Sequence, residues 1–227
     1  MSTIQSVSGQ IVSSTSYERM VRRGMAVACF LFPLLFLVAA VFYLTGSREF
    51  YQDIGSWINS NDVSTHGYGW LAWYAGLPAM IGVAWLLKEK MPRLAFWATL
   101  FTFIGGMSQV SVYRAGFEQA LLRLQGFEIY WNTPQLGAPP IYFWAITVIL
   151  WMIGLVLLGI GVWRTGVLPR WVGGLLALSG LAFFAYQGPG GLVPAIPPIA
   201  LQVTNVCFLL AFPMVGLRLW RGETTVN

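Results

Sequence analysis

Charge is what this chain has least of. Only 9% of its 227 residues are Asp, Glu, Lys or Arg, against about 25% in soluble domains. A soluble protein of this size needs a charged surface, and this sequence cannot supply one. Histidine occurs once, at His66. That excludes a haem held by two histidines of one chain, and equally a zinc site of two or three histidines. The two cysteines, Cys29 and Cys207, lie in apolar runs and form no CxxC, so they read as small buried thiols. There is no G-x-S-x-G elbow, and a Ser–His pair would have to use His66 with Ser64 in NDVSTHGYGW, which is too local to be persuasive. Walker A is absent, as is a G-x-G-x-x-G following a strand, so nucleotide chemistry is not expected. The carboxylates Glu49, Asp53, Asp62, Glu118 and Glu128 are scattered, without D-x-D or DDxxD-like clustering. They read as solvated loop charges rather than as a cation or acid–base site.

What is there is apolar sequence, 57% of the chain. About 20 apolar residues cross a bilayer as a helix. Six segments meet or nearly meet that length: 24–45, 70–87, 94–113, 141–163, 168–186 and 199–217. The first, GMAVACFLFPLLFLVAAVFYLT, exceeds a signal-peptide core and has no clear small-x-small site after it, so it is expected to be retained. The fifth is the weakest, because it includes Arg170, which must reach the interface. The fold class expected is all-α: a polytopic bundle of six transmembrane helices in one domain, with short cytoplasmic turns and longer outer loops.

Basic residues orient it. With the N-terminus inside, the inner segments hold Arg19, Arg22, Arg23, Lys88, Lys90, Arg93, Arg164, Arg170, Arg218 and Arg221. The outer ones hold only Arg48, Arg114 and Arg123. This asymmetry places both termini in the cytoplasm. The inner turns KEKMPR and RTGVLPR each set a Pro just before a basic residue and a new apolar run, which suits a helix start. The likeness is read either as a duplication or as what two good membrane hairpins share.

Outside the membrane, EFYQDIGSWI spaces Phe50, Tyr51, Ile54, Trp57 and Ile58 at helical intervals, so an amphipathic helix lying in the interface is expected. GPGGLVPAIPPIA is uncharged and dense in Gly and Pro. It is expected to pack on the outer mouth, near the end of the third span. Six of the 11 tryptophans (Trp57, Trp70, Trp73, Trp131, Trp144 and Trp171) fall near span ends, as an aromatic belt requires.

The polar residues of interest lie in MSQVSVYRAGFEQALL. Ser111, Arg114 and Glu118 share one side of a helix with Ser108 close by, and Arg and Glu four apart can pair. The stripe reads either as the salt-bridged end of a helix, with the pair partly buried, or as a pocket wall beneath the outer loops. In the sixth span, Gln202, Thr204 and Asn205 add polar groups. Ser111, Arg114, Glu118, Gln202 and Asn205 are the candidate ligand-binding residues; no catalytic or metal-ligating residue is assigned.

The chain also resembles a family. LLKEKMPRLAFWATLFTFIGG, followed later by GVWRTGVLPRWVGGLLALSG, is similar to the basic residue, Pro-Arg turn and glycine-bearing helix that recur in six-helix bacterial membrane proteins of the DUF4386-like kind. The resemblance covers most of the chain. It implies a multi-pass protein of the bacterial inner membrane and carries no catalytic residue with it. The function expected first is non-enzymatic: an accessory subunit of a membrane complex, or a binder of a lipid-like or hydrophobic small molecule. A small transporter and an intramembrane enzyme acting on a lipid-like substrate from the outer side are the alternatives. No cofactor is expected, contact with lipid, quinone or pigment being left open. The partners expected are the bilayer, and other membrane subunits or a homo-oligomer, not nucleic acid. A reporter fused after Asn227 is expected to be active only as a cytoplasmic marker, and one inserted near Asn61 only as an external one; signals from one side for both would remove the six-span topology.

Overall fold

A computed structural model of the chain describes residues 16–51, 56–125, 141–187 and 196–222. Six helices follow in order: α1 Ser16–Thr45, α2 Asp62–Leu87, α3 Pro92–Leu124, α4 Ile141–Thr165, α5 Arg170–Gln187 and α6 Ile196–Arg221. Each packs on the next and α6 returns to α1, closing a ring. Helix α2 also touches α4 and α6, so it leans towards the centre. Five helices (α1, α2, α3, α4 and α6) are long and apolar enough to cross a membrane. The exception is α5, 18 residues with Arg170 in its first turn, the segment that was weakest by composition. The protein is thus a helical, membrane-embedded one.

Away from the basic turns, α2 and α3 outrun the spans 70–87 and 94–113 read from sequence, whereas α1, α4 and α5 end within a residue of theirs. Helix α3 has 33 residues, about 50 Å at 1.5 Å per residue, well beyond a hydrocarbon core of about 30 Å. The helix end expected to carry Arg114 and Glu118 therefore runs on as far as Leu124. The amphipathic helix expected in EFYQDIGSWI does not form. Instead β1 (Arg48–Tyr51) pairs antiparallel with β2 (Ser56–Asn59), Phe50 opposite Trp57 and Glu49 opposite Ile58. Aromatic and β-branched residues favour a strand, and Gly55 disfavours a helix midway. Ser60 N–H and Ser47 O close the ladder at 3.0 Å. Of the expected outer cap, 188–195 lies outside the described residues, while Ile196–Ala200 is the first turn of α6 with Pro197 and Pro198 in it, positions where a missing N–H costs nothing.

The two basic turns, KEKMPR and RTGVLPR, follow their sequences. Pro92 opens α3 after Met91, and Gly166 ends α4 at φ +63°, its N–H bonded to Val162 O at 3.1 Å. Only glycine takes that left-handed conformation without strain. Lys90 Nζ donates to Thr165 O at 3.2 Å, tying one basic turn to the other.

The middle of the bundle is filled with rings. Trp73 and Trp151 meet at 4.7 Å between centroids, Phe32 and Phe208 at 4.8 Å, Phe32 and Phe212 at 5.1 Å, and Trp73 and Phe183 at 5.4 Å. Such pairs add about 0.5–1.5 kcal/mol each beyond their burial. Trp73 is fully buried, so it is a core residue and not part of an interfacial belt. The exposed tryptophans Trp97, Trp163, Trp171 and Trp220 lie instead at the helix ends that carry the basic residues.

Between helices there is little driving force from water in a bilayer, so close approach of backbones must hold them. A methyl group at Gly159 (α4) would stand 2.5 Å from Gly173 O (α5), and one at Gly105 (α3) 2.7 Å from Thr147 O (α4). Prolines lie inside α1 (Pro33), α2 (Pro78) and α6 (Pro213), each removing one N–H from the helical ladder. These three helices pack on one another. Gly159→Val should lower unfolding stability by at least about 1–3 kcal/mol through overpacking. Gly174→Ala, with space around it, should be neutral or stabilising. Unfolding in mixed micelles checks both.

Candidate functional site

Heights along the bundle can be counted from the basic residue that stands at one end of these helices. At 1.5 Å per residue Gln109 stands about 24 Å above Arg93, Asn205 about 20 Å above Arg218, Trp73 about 22 Å above Lys88 and Thr147 about 25 Å above Arg164. By this count these residues lie at similar heights, as one layer, in the part of the bundle away from the basic turns and level with the ring of Trp73.

Helical period sets which side chains enter it. The buried stripe of α3 runs Thr102, Gly106, Gln109, Tyr113, Gly116 and Ala120, steps of three and four. In α6 the buried positions include Leu201, Thr204, Asn205, Phe208 and Phe212. Gln109 and Asn205 therefore point into the bundle because they share a face with its apolar residues. The hydroxyls of the layer are satisfied. Thr147 Oγ1 donates to Ser108 Oγ at 2.8 Å, a buried bond between α4 and α3, and Thr204 Oγ1 donates to Ala200 O at 2.9 Å. The two amides are not. Gln109 is fully buried and Asn205 nearly so, and neither the nitrogen nor the oxygen of either side chain has a hydrogen-bond partner. Each amide offers two donors and a carbonyl acceptor. Leaving a buried polar group unpaired costs about 1–3 kcal/mol. Both pairs of atoms are closed to water-sized access, so no water fits beside them in this arrangement of the helices.

Above the layer, α2 and α3 are fastened together. Tyr113 is buried and packs near Trp73, ring centroids 6.3 Å apart. His66 lies over Gly116, where any side chain would collide with its ring. Its Nδ1 is 2.9 Å from Asp62 O; a carbonyl oxygen only accepts, so Nδ1 carries a proton. Arg123 Nη1 reaches Asp62 Oδ2 at 3.7 Å, both side chains largely buried. Trp70 stacks on Phe117 at 6.0 Å. Among the described residues no group of His, Cys, Asp and Glu could hold a metal ion.

The residues singled out from sequence divide between the two sides of the helices. Arg114 Nε donates to Glu118 Oε1 at 2.8 Å, but the side chains are 60% and 55% exposed, so the pair that was expected to be partly buried sits on the outer surface of α3. Ser111 is exposed too, its hydroxyl donating to Met107 O at 3.1 Å. Ser111 is 200° round the helix from Gln109, counted at 100° per residue. In α6 Gln202 is exposed and Asn205 buried. Of the five candidates only Asn205 reaches the polar layer. Gln109 and the Asp62–Arg123 contact were missed. Gln109 had a signal, an amide inside an apolar helical stretch, but the charged residues after it drew the reading to the opposite face.

No protein-family model, curated protein or solved structure matches the chain.

These placements separate the two ion pairs. Replacing Arg114 and Glu118 together by Ala should leave the melting temperature of the detergent-solubilised protein unchanged. Asp62→Asn should cost about 1–3 kcal/mol, since the charge that faces the largely buried guanidinium of Arg123 is lost. Equal effects of the two changes would contradict the assignment.

Proposed function

We propose that this chain is a six-span inner-membrane protein with both termini in the cytoplasm, and that it binds a small lipid-like molecule in the outer half of its bundle. The reading is non-enzymatic. Its site is the layer of Gln109, Asn205, Ser108 and Thr147, bordered by the rings of Trp73, Phe36 and Phe183. The observation that carries it is the pair of buried amides without partners. An apolar molecule with a carbonyl or hydroxyl head would satisfy them while its rings or chains lie against the aromatic residues. Entry requires the helices to part, because the amides are enclosed. Pro33, Pro78 and Pro213 weaken the ladders of α1, α2 and α6, the three helices best able to bend. The positive-inside bias supports the orientation, and the resemblance to DUF4386-like proteins is consistent with it.

A small transporter is the second reading, favoured by the same three prolines and by the polar Asn205 in α6. Against it stands the ring-filled centre below the layer. The enzyme reading loses its basis when Arg114 and Glu118 face away from the bundle.

The test is ligand retention. Protein extracted in native lipid without detergent should carry a small molecule beyond bulk lipid composition, found by mass spectrometry of the extract. Gln109→Leu and Asn205→Leu should each lose it. The same variants should be more stable in the empty state, by about 1–3 kcal/mol per amide relieved. Variants that keep the wild-type extract, or a wild type that retains nothing, would sink the proposal.

A further inference from the structure

At the inner end of the bundle a second feature has no part in that layer. Ser16, Arg19, Met20 and Arg23 line a cavity of about 310 Å³ on the first two turns of α1. Arg19 and Arg23 are four residues apart, so both guanidinium groups project from one face. Arg23 is held from the other side. Its guanidinium carbon sits 5.4 Å from the ring centroid of Trp220 in α6, a cation–π contact that restricts a long side chain. Neither Arg19 nor Arg23 has an acidic partner among the described residues. The apolar border is Met20 and Trp220, both more than half exposed. Arg23 directly precedes the apolar run of α1, which sets the cavity at the level of lipid headgroups.

We infer that this open face of α1, beside Trp220 of α6, is a binding site for the phosphate headgroup of an anionic membrane lipid. Two guanidinium groups can each fork onto phosphate oxygens. The Ser16 hydroxyl adds a further donor. Met20 and Trp220 take the glycerol and upper acyl carbons. The surroundings agree: this end of the chain holds ten Lys and Arg against Glu18, Glu89 and Glu223, so an anion is attracted over the whole inner face. A scattered positive charge would serve orientation alone; what distinguishes this place is two arginines on one wall of a cavity, one of them fixed by a ring.

The test uses the full chain in a neutral detergent, titrated with phosphatidylglycerol, with phosphatidylcholine, and with inorganic phosphate, and read by thermal unfolding and by intact-complex mass spectrometry. Phosphatidylglycerol should bind at least about tenfold more tightly than phosphatidylcholine, a difference of about 1.4 kcal/mol. Arg19→Gln with Arg23→Gln should remove that preference, while Arg218→Gln should keep it. Arg19→Lys with Arg23→Lys preserves the charge that orients the chain, and it should still weaken phosphatidylglycerol binding; this variant decides if the Gln pair fails to fold. Equal binding of the two lipids, unchanged phosphatidylglycerol affinity in the Lys pair, or protection by inorganic phosphate as strong as by phosphatidylglycerol would overturn the assignment.

Discussion

Inside a bilayer a polar group has no water to turn to, and it must find its partner within the protein. That constraint organises this structure. Backbone groups meet it through six helices. Most hydroxyls of the helices meet it by bonding back to their own helices, as Thr99 does to Ala95 O at 2.7 Å and Thr204 to Ala200 O at 2.9 Å, or across helices, as Thr147 does to Ser108. The side-chain amides of Gln109 and Asn205 do not meet it, nor do the Thr65 hydroxyl and the indole N–H groups of Trp73 and Trp151. Two unpaired amides in one layer oppose close packing of the helices around them, and they favour any rearrangement that supplies donors and acceptors.

The packing on either side of that layer is unequal. Helices α3, α4 and α5 approach at glycines, backbone against backbone, and none has a proline in its interior. Helices α1, α2 and α6 each have one and meet mainly through large rings, among them Phe32, Phe36, Phe208 and Phe212, with one close glycine approach at Gly216, where a methyl group would stand 3.1 Å from Ala26 O. Glycine seams resist separation because small shifts create collisions, whereas rings can slide. Opening at the expense of α1, α2 and α6, with the other three as a fixed wall, is the motion this division permits. Gln109 lies on the wall and Asn205 on the bending side, so such a motion would change the distance between them.

The helices were legible because hydrophobic length and the basic turns are properties of local sequence. At the basic ends α2 to α6 agree to within a few residues, Pro92 and Arg170 marking two of them directly, while α1 is already helical at Ser16, well before the span read from 24. The far ends of α2 and α3 were not legible in the same way. Helix α3 continues beyond the membrane because AGFEQALLRL has good helical residues and the Asp62–Arg123 contact fastens its end to α2; hydrophobicity does not measure either. The hairpin at 48–59 was mistaken for a helix because aromatic spacing was read ahead of β-propensity and Gly55. The candidate site was legible only in part. Charge is conspicuous in an apolar chain, which drew the reading to Arg114 and Glu118. A neutral amide such as Gln109 becomes conspicuous only when the buried face of α3 is known.

The central claim is that the amides of Gln109 and Asn205 are completed by a molecule that is not part of the chain. An experimental structure of the protein in native lipid, at a resolution that shows ordered ligands, tests this most directly. The account predicts non-protein density in the outer half of the bundle, within about 3 Å of both amides, and a wider separation of α6 from α3 than in the closed form. Both amides bonded to protein groups, with no non-protein density beside them, would contradict it.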